Sequence, residues 1–156
     1  MNSTATSRHP TYAFFGALTT FKATGETTAG RLMVIEHVAP RGIGSPLHVH
    51  HREDEWFYVL EGELTIWRDG ELVQAGAGDF VFGPRDVPHT FIVSSDEARF
   101  LLATTPADFE GFVRALAQPV ETLVDPAPAG PPDMDAIMAA AAEYGVEIIG
   151  PPGIPA

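Results

Sequence analysis

The 156-residue chain contains no cysteine. Disulfide bonds, thiolate nucleophiles and cysteine-ligated metal sites are therefore excluded. No apolar run reaches the roughly 18 residues that a membrane-spanning helix requires, so neither a span nor a membrane partner is expected. The N-terminus "MNSTATSRHPTY" has no basic segment followed by an apolar one. We therefore predict no secretory signal and expect a cytoplasmic location.

Positive charge is also scarce: nine Lys and Arg residues face 21 Asp and Glu residues, for a net charge of −12. Without a basic cluster to neutralise phosphates, nucleic acid is not expected as a partner. The apolar fraction of 45%, with 15 glycines and 14 prolines, indicates a globular chain with many turns and little helix. The length suits one domain covering residues 1–156.

Short β-strands are predicted from about Tyr12 to Thr104, where segments rich in β-branched and aromatic residues are separated by Gly and Pro turns. Asp69-Gly70 predicts a type I′ turn between two alternating segments. This spacing is typical of an all-β sandwich or small barrel. The predicted strands cover residues 31–38, 55–60, 63–75 (the hairpin), 78–84, 89–93 and 98–104.

A C-terminal helical extension is predicted over about 105–156. Thr105 as N-cap and Pro106 as first helical residue predict one helix, and Asp133 as N-cap and Gly145 as terminator predict a second. A proline-rich linker, residues 119–132, separates them and cannot be regular helix. The apolar stripe of the first helix is Phe109, Phe112, Val113 and Leu116. That of the second is Met134, Ile137, Met138 and Ala141. Both helices are expected to pack on the β unit.

A histidine cluster stands just before a predicted buried strand, in "PLHVHHREDEWFYVLEG". Because alternate side chains of a strand share a face, His48 and His50 point the same way. A tight turn over 51–54 brings Glu55 beside them, and His89, at the start of another strand, can add a third imidazole. Imidazoles and a carboxylate suit a divalent transition metal. His51, Glu53 and Asp54 are predicted to form a solvated turn.

Four apolar residues are candidates for a substrate pocket wall beside this cluster, with plain core packing as an equal alternative. His37, in "VIEHV", is left open between a position near the metal and the core, because strand alternation does not decide it. The four candidates are Met33, Ile35, Phe57 and Phe91.

These spacings resemble the two sequence motifs of the cupin superfamily. The resemblance implies a double-stranded β-helix (cupin) barrel with one metal inside, held by His48, His50, Glu55 and His89. Two positions depart from the family pattern: Asp86 stands where the family has glycine and Val93 where it has asparagine. The matching residues are Gly42, His48, His50, Glu55 and Gly62 for the first motif, and Gly78, Pro84 and His89 for the second.

At finer grain, residues 18–63 and the C-terminal "YGVEIIGPP" look like small bacterial cupins related to quercetin dioxygenases. This likeness implies a metal-dependent dioxygenase acting with O₂ on a flavonol-like or other enolic aromatic small molecule, with Glu55 as base, and it implies a homodimer. One divalent transition metal is expected, and Fe, Ni, Mn, Co, Cu and Zn all suit these ligands. The alternatives are a non-redox metal-dependent isomerase, lyase or cyclase, and a non-catalytic small-molecule-binding cupin.

Overall fold

The computed structural model describes residues 9–120 and 132–156. Antiparallel strands dominate, and three helices accompany them. The strands are β1 Thr11–Phe14, β2 Ala17–Ala23, β3 Met33–Pro40, β4 Pro46–His50, β5 Asp54–Glu61, β6 Glu63–Arg68, β7 Glu71–Gly76, β8 Phe80–Gly83, β9 His89–Val93, β10 Glu97–Thr105, β11 Gln118–Pro119 and β12 Val146–Pro152. The helices are α1 Gly25–Thr28, α2 Phe109–Leu116 and α3 Met134–Tyr144.

Two sheets enclose one hydrophobic core. The larger has the strand order β11-β1-β2-β3-β10-β5-β8, and the smaller has the order β12-β4-β9-β6-β7. Inward-facing residues of both sheets meet between them, for example Ile35 and Phe57 from the larger and Ile66 from the smaller. Along β5 the alternation is clear, since Phe57 and Val59 are buried whereas Tyr58 is exposed. The predicted all-β cupin-type barrel is confirmed.

Two turns show how local sequence sets this architecture. Asp69 (φ 46°) and Gly70 (φ 88°) both have positive φ, as the predicted type I′ turn between β6 and β7 requires. Gly62, between β5 and β6, combines a φ of 81° with close packing. A Cβ added there would lie 2.2 Å from a backbone carbonyl oxygen, so no other residue fits without displacement of the chain.

The C-terminal extension differs from the prediction in two ways. Helix α2 begins at Phe109, because Thr105 still pairs with Asp54 in the β10–β5 ladder and is not a helix N-cap. The extension is also not purely helical, because β12 follows α3 and pairs with β4. Most of the predicted linker, residues 121–131, lies outside the described residues.

Helix α3 has the predicted ends. The side chain of Asp133 accepts a hydrogen bond from the backbone N–H of Ala136, and Gly145 has the left-handed conformation. Its buried face is Ile137, Ala140 and Ala141, whereas Met134 and Met138 are exposed, so the predicted apolar stripe is only half right. Small alanines face inward here because α2 and α3 approach closely.

Helix α2 buries the predicted face: Phe109, Phe112 and Val113 are buried, and Leu116 packs against the core. None of the helices in residues 9–120 and 132–156 is long and apolar enough to cross a membrane.

Candidate metal centre

The four predicted ligands come from three strands and meet between the sheets. His48 and His50 project from β4, and His89 is paired with His48 across the β4–β9 ladder. Glu55 comes from β5 in the opposite sheet. One ligand atom from each of these residues lies within 4.8 Å of the others, and all four side chains are buried. This group could hold one metal ion.

The ligand atoms are close enough to share an ion. His48 Nε2 lies 3.2 Å from His50 Nε2, and Glu55 Oε2 lies 2.5 Å from His89 Nε2 and 3.5 Å from His50 Nε2. The His50 ring also packs edge-on against Phe109 of α2, with ring centroids 4.7 Å apart. The helical extension therefore contributes to the wall of the centre.

Backbone contacts orient two of the imidazoles. His48 Nδ1 is 2.7 Å from the carbonyl oxygen of Pro46, and His89 Nδ1 is 3.0 Å from that of Val87. A carbonyl only accepts hydrogen bonds, so both Nδ1 atoms carry a proton, and in the neutral rings, the form that binds a metal, both Nε2 atoms present lone pairs to the centre. Two acceptors, His89 Nε2 and a Glu55 oxygen, then face each other at 2.5 Å. Positive charge is needed between them, so the donor set fits a metal cation.

Electrostatics point the same way. Burial and the neighbouring imidazoles of His89 and His50 hold the pKa of His48 well below its ordinary value. Burial opposes charge on His50 as well, but Glu55 and Glu53 outweigh it and raise its pKa to about 9. Burial alone would raise the pKa of Glu55, but His50 and His89 outweigh it and hold the carboxyl pKa well below its usual value. In the protein without metal, a proton on His50 therefore balances the charge of Glu55, and a bound cation would take over that role.

Glu53 corrects the sequence analysis. It was predicted to lie in a solvated turn with His51 and Asp54, yet its side chain is fully buried. Its Oε2 lies 3.4 Å from His50 Nδ1, and neither carboxylate oxygen has a hydrogen-bond partner among the described residues. The chain turns after β4 so that Glu53 points back under His50, where a carboxylate can hold the Nδ1 proton and orient the ring. The sequence feature that could have indicated this contact is the separation of only three residues between His50 and Glu53.

His51 and Asp54 do lie at the surface. His51 Nδ1 donates to Asp86 Oδ1 and His51 Nε2 donates to Glu147 Oε2, each at 2.7 Å. These bonds, above all the one to Asp86, raise the pKa of His51. Asp54 pairs with Arg85. His51 thus links the turn after β4, the loop before His89 and strand β12.

A cavity opens beside the centre, with His48 and Glu55 in its wall. Its volume is about 60 Å³ and its lining is almost entirely apolar. Of the predicted wall residues, Phe57 and Phe91 line it. Met33 and Ile35 do not: they have no exposed surface, because packed side chains rather than open space surround them. The structure places His37, which the sequence left open, in the wall of this cavity. Sequence reasoning missed wall residues from distant segments, among them Phe14, Phe15, Phe100, Phe112, Val146 and Ile148.

Two antiparallel sheets closed around three imidazoles and one carboxylate define a β-barrel with an internal candidate metal centre. Residues 34–104 match the sequence model of the family described as "Cupin domain". The protein therefore contains a cupin domain, and it resembles quercetinase-type proteins.

Curated relatives match over part of their length. Quercetin 2,3-dioxygenase of Bacillus subtilis (strain 168) is 33% identical over 104 residues, which are 67% of this chain and 31% of that protein. The chain spans between 31% and 43% of the length of the curated relatives it matches.

Solved structures support the fold. An RmlC-like cupin from Shewanella frigidimarina superposes with a TM-score of 0.58 at 21% identity, covering 69% of this chain and 92% of that one. A sugar phosphate isomerase from a cupin superfamily, from Silicibacter pomeroyi, superposes with a TM-score of 0.51 at 26% identity, covering 60% and 61%.

Proposed function

We propose that this protein is a metal-dependent dioxygenase acting on an enolic aromatic compound, of which flavonols are one type. The observation that carries the proposal is the direct opening of the four-ligand group into an apolar cavity walled by aromatic rings such as Phe57 and Phe91. The partial likeness to quercetin 2,3-dioxygenase supports it. When bound, a divalent transition metal would supply Lewis acidity that lowers the pKa of a coordinated enol and, if redox-active, a path for electrons to O₂.

Glu55 is the proposed base. It lies in the cavity wall, and its depressed pKa keeps it ionised at neutral pH. Oε2 faces the imidazoles of His50 and His89, whereas Oε1 makes no hydrogen bond with any described residue. Oε1 is therefore the atom available to take the hydroxyl proton of an enol that enters the cavity.

The aromatic wall favours substrates that are flat, and it excludes water. Phe57, Phe91 and Phe100 pack against one another with centroid distances of 5.4–6.5 Å. The cavity of about 60 Å³ is smaller than the roughly 150 Å³ engineered cavity that accepts benzene. Substrate entry therefore requires the wall to move, and a single-ring enol demands less movement than a flavonol.

The runner-up is a non-redox isomerase, lyase or cyclase at the same centre. The similarity to a sugar phosphate isomerase favours it. The cavity argues against a phosphorylated substrate, since the described residues that line it include no lysine or arginine to bind a phosphate. A non-catalytic binding cupin is the remaining alternative.

Oxygen consumption separates these functions. The protein is loaded in turn with Fe, Ni, Co, Mn or Zn and given flavonols, single-ring enols and β-diketones, with and without air, and O₂ uptake and product mass are measured. A dioxygenase consumes O₂ and is poor with Zn, whereas the non-redox enzyme turns over without air and accepts Zn. A binding protein yields no product with any metal. Absence of O₂ uptake across the panel would refute the dioxygenase proposal.

Glu55→Gln tests the base. The amide keeps the shape and a weak ligand oxygen but cannot take the proton, so turnover should fall roughly 10²–10⁴-fold while much of the metal is retained. The matched control is Glu61→Gln, at the exposed end of the same strand, which should leave turnover unchanged. Wild-type turnover in Glu55→Gln would exclude Glu55 as base.

We also propose a homodimer. Tyr58, Phe80 and Phe82 expose large aromatic side chains on β5 and the edge strand β8, and a second copy would bury them. Phe80→Glu should halve the molar mass measured by light scattering after gel filtration. A monomeric wild type, or a mass that Phe80→Glu leaves unchanged, would contradict the assignment.

A further inference from the structure

Two polar side chains other than the candidate metal ligands line the cavity among the described residues, Ser45 and His37. The hydroxyl of Ser45 lies 3.2 Å from that of Thr90 and is satisfied there, whereas His37 stands among phenyl rings. His37 lies on β3, is 97% buried and lines the cavity together with His48 and Glu55. Its ring stacks parallel to Phe14 at a centroid distance of 6.2 Å and lies 5.3 Å from the ring of Phe100. A buried imidazole among phenyl rings is costly unless its nitrogens find partners.

Thr19, on the neighbouring strand β2, fixes which nitrogen of His37 carries the proton. Its fully buried hydroxyl lies 2.7 Å from His37 Nδ1, and among the described residues it has no other hydrogen-bond partner. The hydroxyl hydrogen must therefore be donated to Nδ1, since it would otherwise remain unpaired inside the core. An Nδ1 that accepts leaves the proton of a neutral imidazole on Nε2.

Nε2–H is thus a hydrogen-bond donor whose acceptor has to come from the cavity. Within residues 9–120 and 132–156 no side chain or backbone oxygen accepts from it. It is not among the fully enclosed, unpartnered polar atoms, so it keeps some accessible surface, and the cavity is the open space that His37 borders.

We infer that His37 determines substrate specificity, by donating a hydrogen bond from Nε2–H to a neutral acceptor oxygen on the part of the substrate remote from the metal. This inference rests on the proposed function, in which the cavity receives the substrate. It narrows the substrate class to flat, mainly apolar compounds with one oxygen for the metal and a second, carbonyl-type or hydroxyl oxygen for His37.

The charge state of His37 explains why the acceptor is neutral. Burial lowers the pKa of His37 to about 4, against a small opposing effect of Glu55. The ring is therefore uncharged at neutral pH and offers a carboxylate or phosphate no ion pair to offset the loss of its hydration. A ketone or phenol oxygen has little hydration to lose and gains the hydrogen bond.

Two catechols of nearly equal shape test the inference by binding alone. Both 4-acetylcatechol and 4-isopropylcatechol can bind a metal through the catechol oxygens, but only the first carries a carbonyl at the opposite end. Their affinities for the Zn-loaded protein are measured by calorimetry, with wild type and variants compared. The quantity of interest is the ratio of the two affinities, because effects on the metal that are common to all variants cancel from it.

His37→Asn and His37→Gln separate the two ring nitrogens. The Asn side chain can replace Nδ1 as the acceptor for Thr19 but does not reach the cavity, whereas the longer Gln places an N–H donor near the position of Nε2. The preference for 4-acetylcatechol should fall roughly 3- to 10-fold in His37→Asn and be retained in His37→Gln. Thr20→Val, on the half-buried opposite face of β2, is the matched control and should leave the ratio unchanged.

Nitrogen NMR of the Zn-loaded wild type tests the proton position without any variant. The spectrum should show protonated Nε2 and unprotonated Nδ1 for His37, and 4-acetylcatechol should shift the Nε2–H signal downfield while 4-isopropylcatechol does not. An Nδ1–H form, equal ratios in wild type and His37→Asn, or no binding of either catechol would overturn the inference. These experiments measure binding and not turnover, so they are independent of the proposed chemistry. If the protein consumes no O₂ but still shows the His37-dependent preference, the dioxygenase proposal is refuted and the role of His37 stands.

Discussion

Replacing His37 by Gln should remove a large acid sensitivity of the fold. His37 has a pKa of about 4 in the native protein because it is buried, against 6.5 for an exposed histidine. Between pH 6.5 and pH 4 this histidine is protonated in the unfolded chain but not in the native protein. Its contribution to stability is therefore fully present above pH 6.5 and is lost as the pH falls towards 4. From these two values the free energy of unfolding should drop by about 2 kcal/mol between pH 8 and pH 5, and by about 3 kcal/mol in all below pH 4.

Urea unfolding followed by tryptophan fluorescence measures this difference. Wild type and His37→Gln are unfolded at pH 8 and pH 5 with a chelator present, so that metal loss contributes to neither curve. With a slope near 2 kcal/mol per molar urea, the wild-type midpoint should fall by roughly 1 M more than that of the variant. Equal losses in the two proteins would refute the argument, because His37 would then be protonated in the fold as easily as in the unfolded chain.

His51→Gln provides a control of opposite sign. The pKa of His51 is raised by Asp86 and Glu147, so its stabilising effect is present below pH 6.5 and is lost as the pH rises through its folded value. Since the side chain is 45% exposed, the effect should be small. A variant that loses stability towards alkaline pH more steeply than wild type would contradict this assignment.

The remaining predictions concern the metal ligands and one turn. His48→Ala should reduce bound metal from about one ion per chain to near zero by elemental analysis, and retained metal would exclude it as a ligand. Glu53→Gln should weaken metal affinity roughly 10- to 100-fold in competition with a chromophoric chelator, because the carboxylate no longer holds the Nδ1 proton of His50; unchanged affinity would mean that it does not orient the ring. Gly62→Ala should lower the free energy of unfolding by about 3 kcal/mol or more, through positive φ and a clash with backbone. Gly70 has a similar positive φ but faces open space, so Gly70→Ala should lower the free energy of unfolding by only about 1–2 kcal/mol. An equal loss in the two variants would show that the chain relieves the clash at residue 62.

Three of the four candidate metal ligands could be placed together from the sequence because their geometry is local, whereas His89 was assigned through its resemblance to the second cupin motif. Strand alternation places His48 and His50 on one face, and a short turn returns Glu55 to them. Glu53 was missed because an acid in a turn is normally hydrated, and only the folded turn reveals the imidazole nitrogen above its carboxylate.

The cavity wall was less predictable because it depends on long-range pairing. Met33 and Ile35 lie on the inward face of β3, as alternation requires, but alternation does not say at which level of the barrel the open space lies. Val146 and Ile148 reach the cavity because β12 pairs with β4, almost a hundred residues earlier in the chain. No local periodicity encodes that pairing.

Asp86 shows how this chain accommodates a departure from the family pattern. Its φ of 65° lies in the left-handed region, which suits the glycine that the cupin motif has at this position. Aspartate tolerates that conformation better than most residues because its short side chain can form local hydrogen bonds. Here the carboxylate accepts from His51, and the backbone N–H of Asp86 donates to the carbonyl oxygen of His50 at 2.8 Å. The strain of the left-handed backbone is thereby offset by contacts that join the loop before His89 to the end of β4. The segments that carry His50 and His89 are thus connected at the surface as well as at the candidate metal centre.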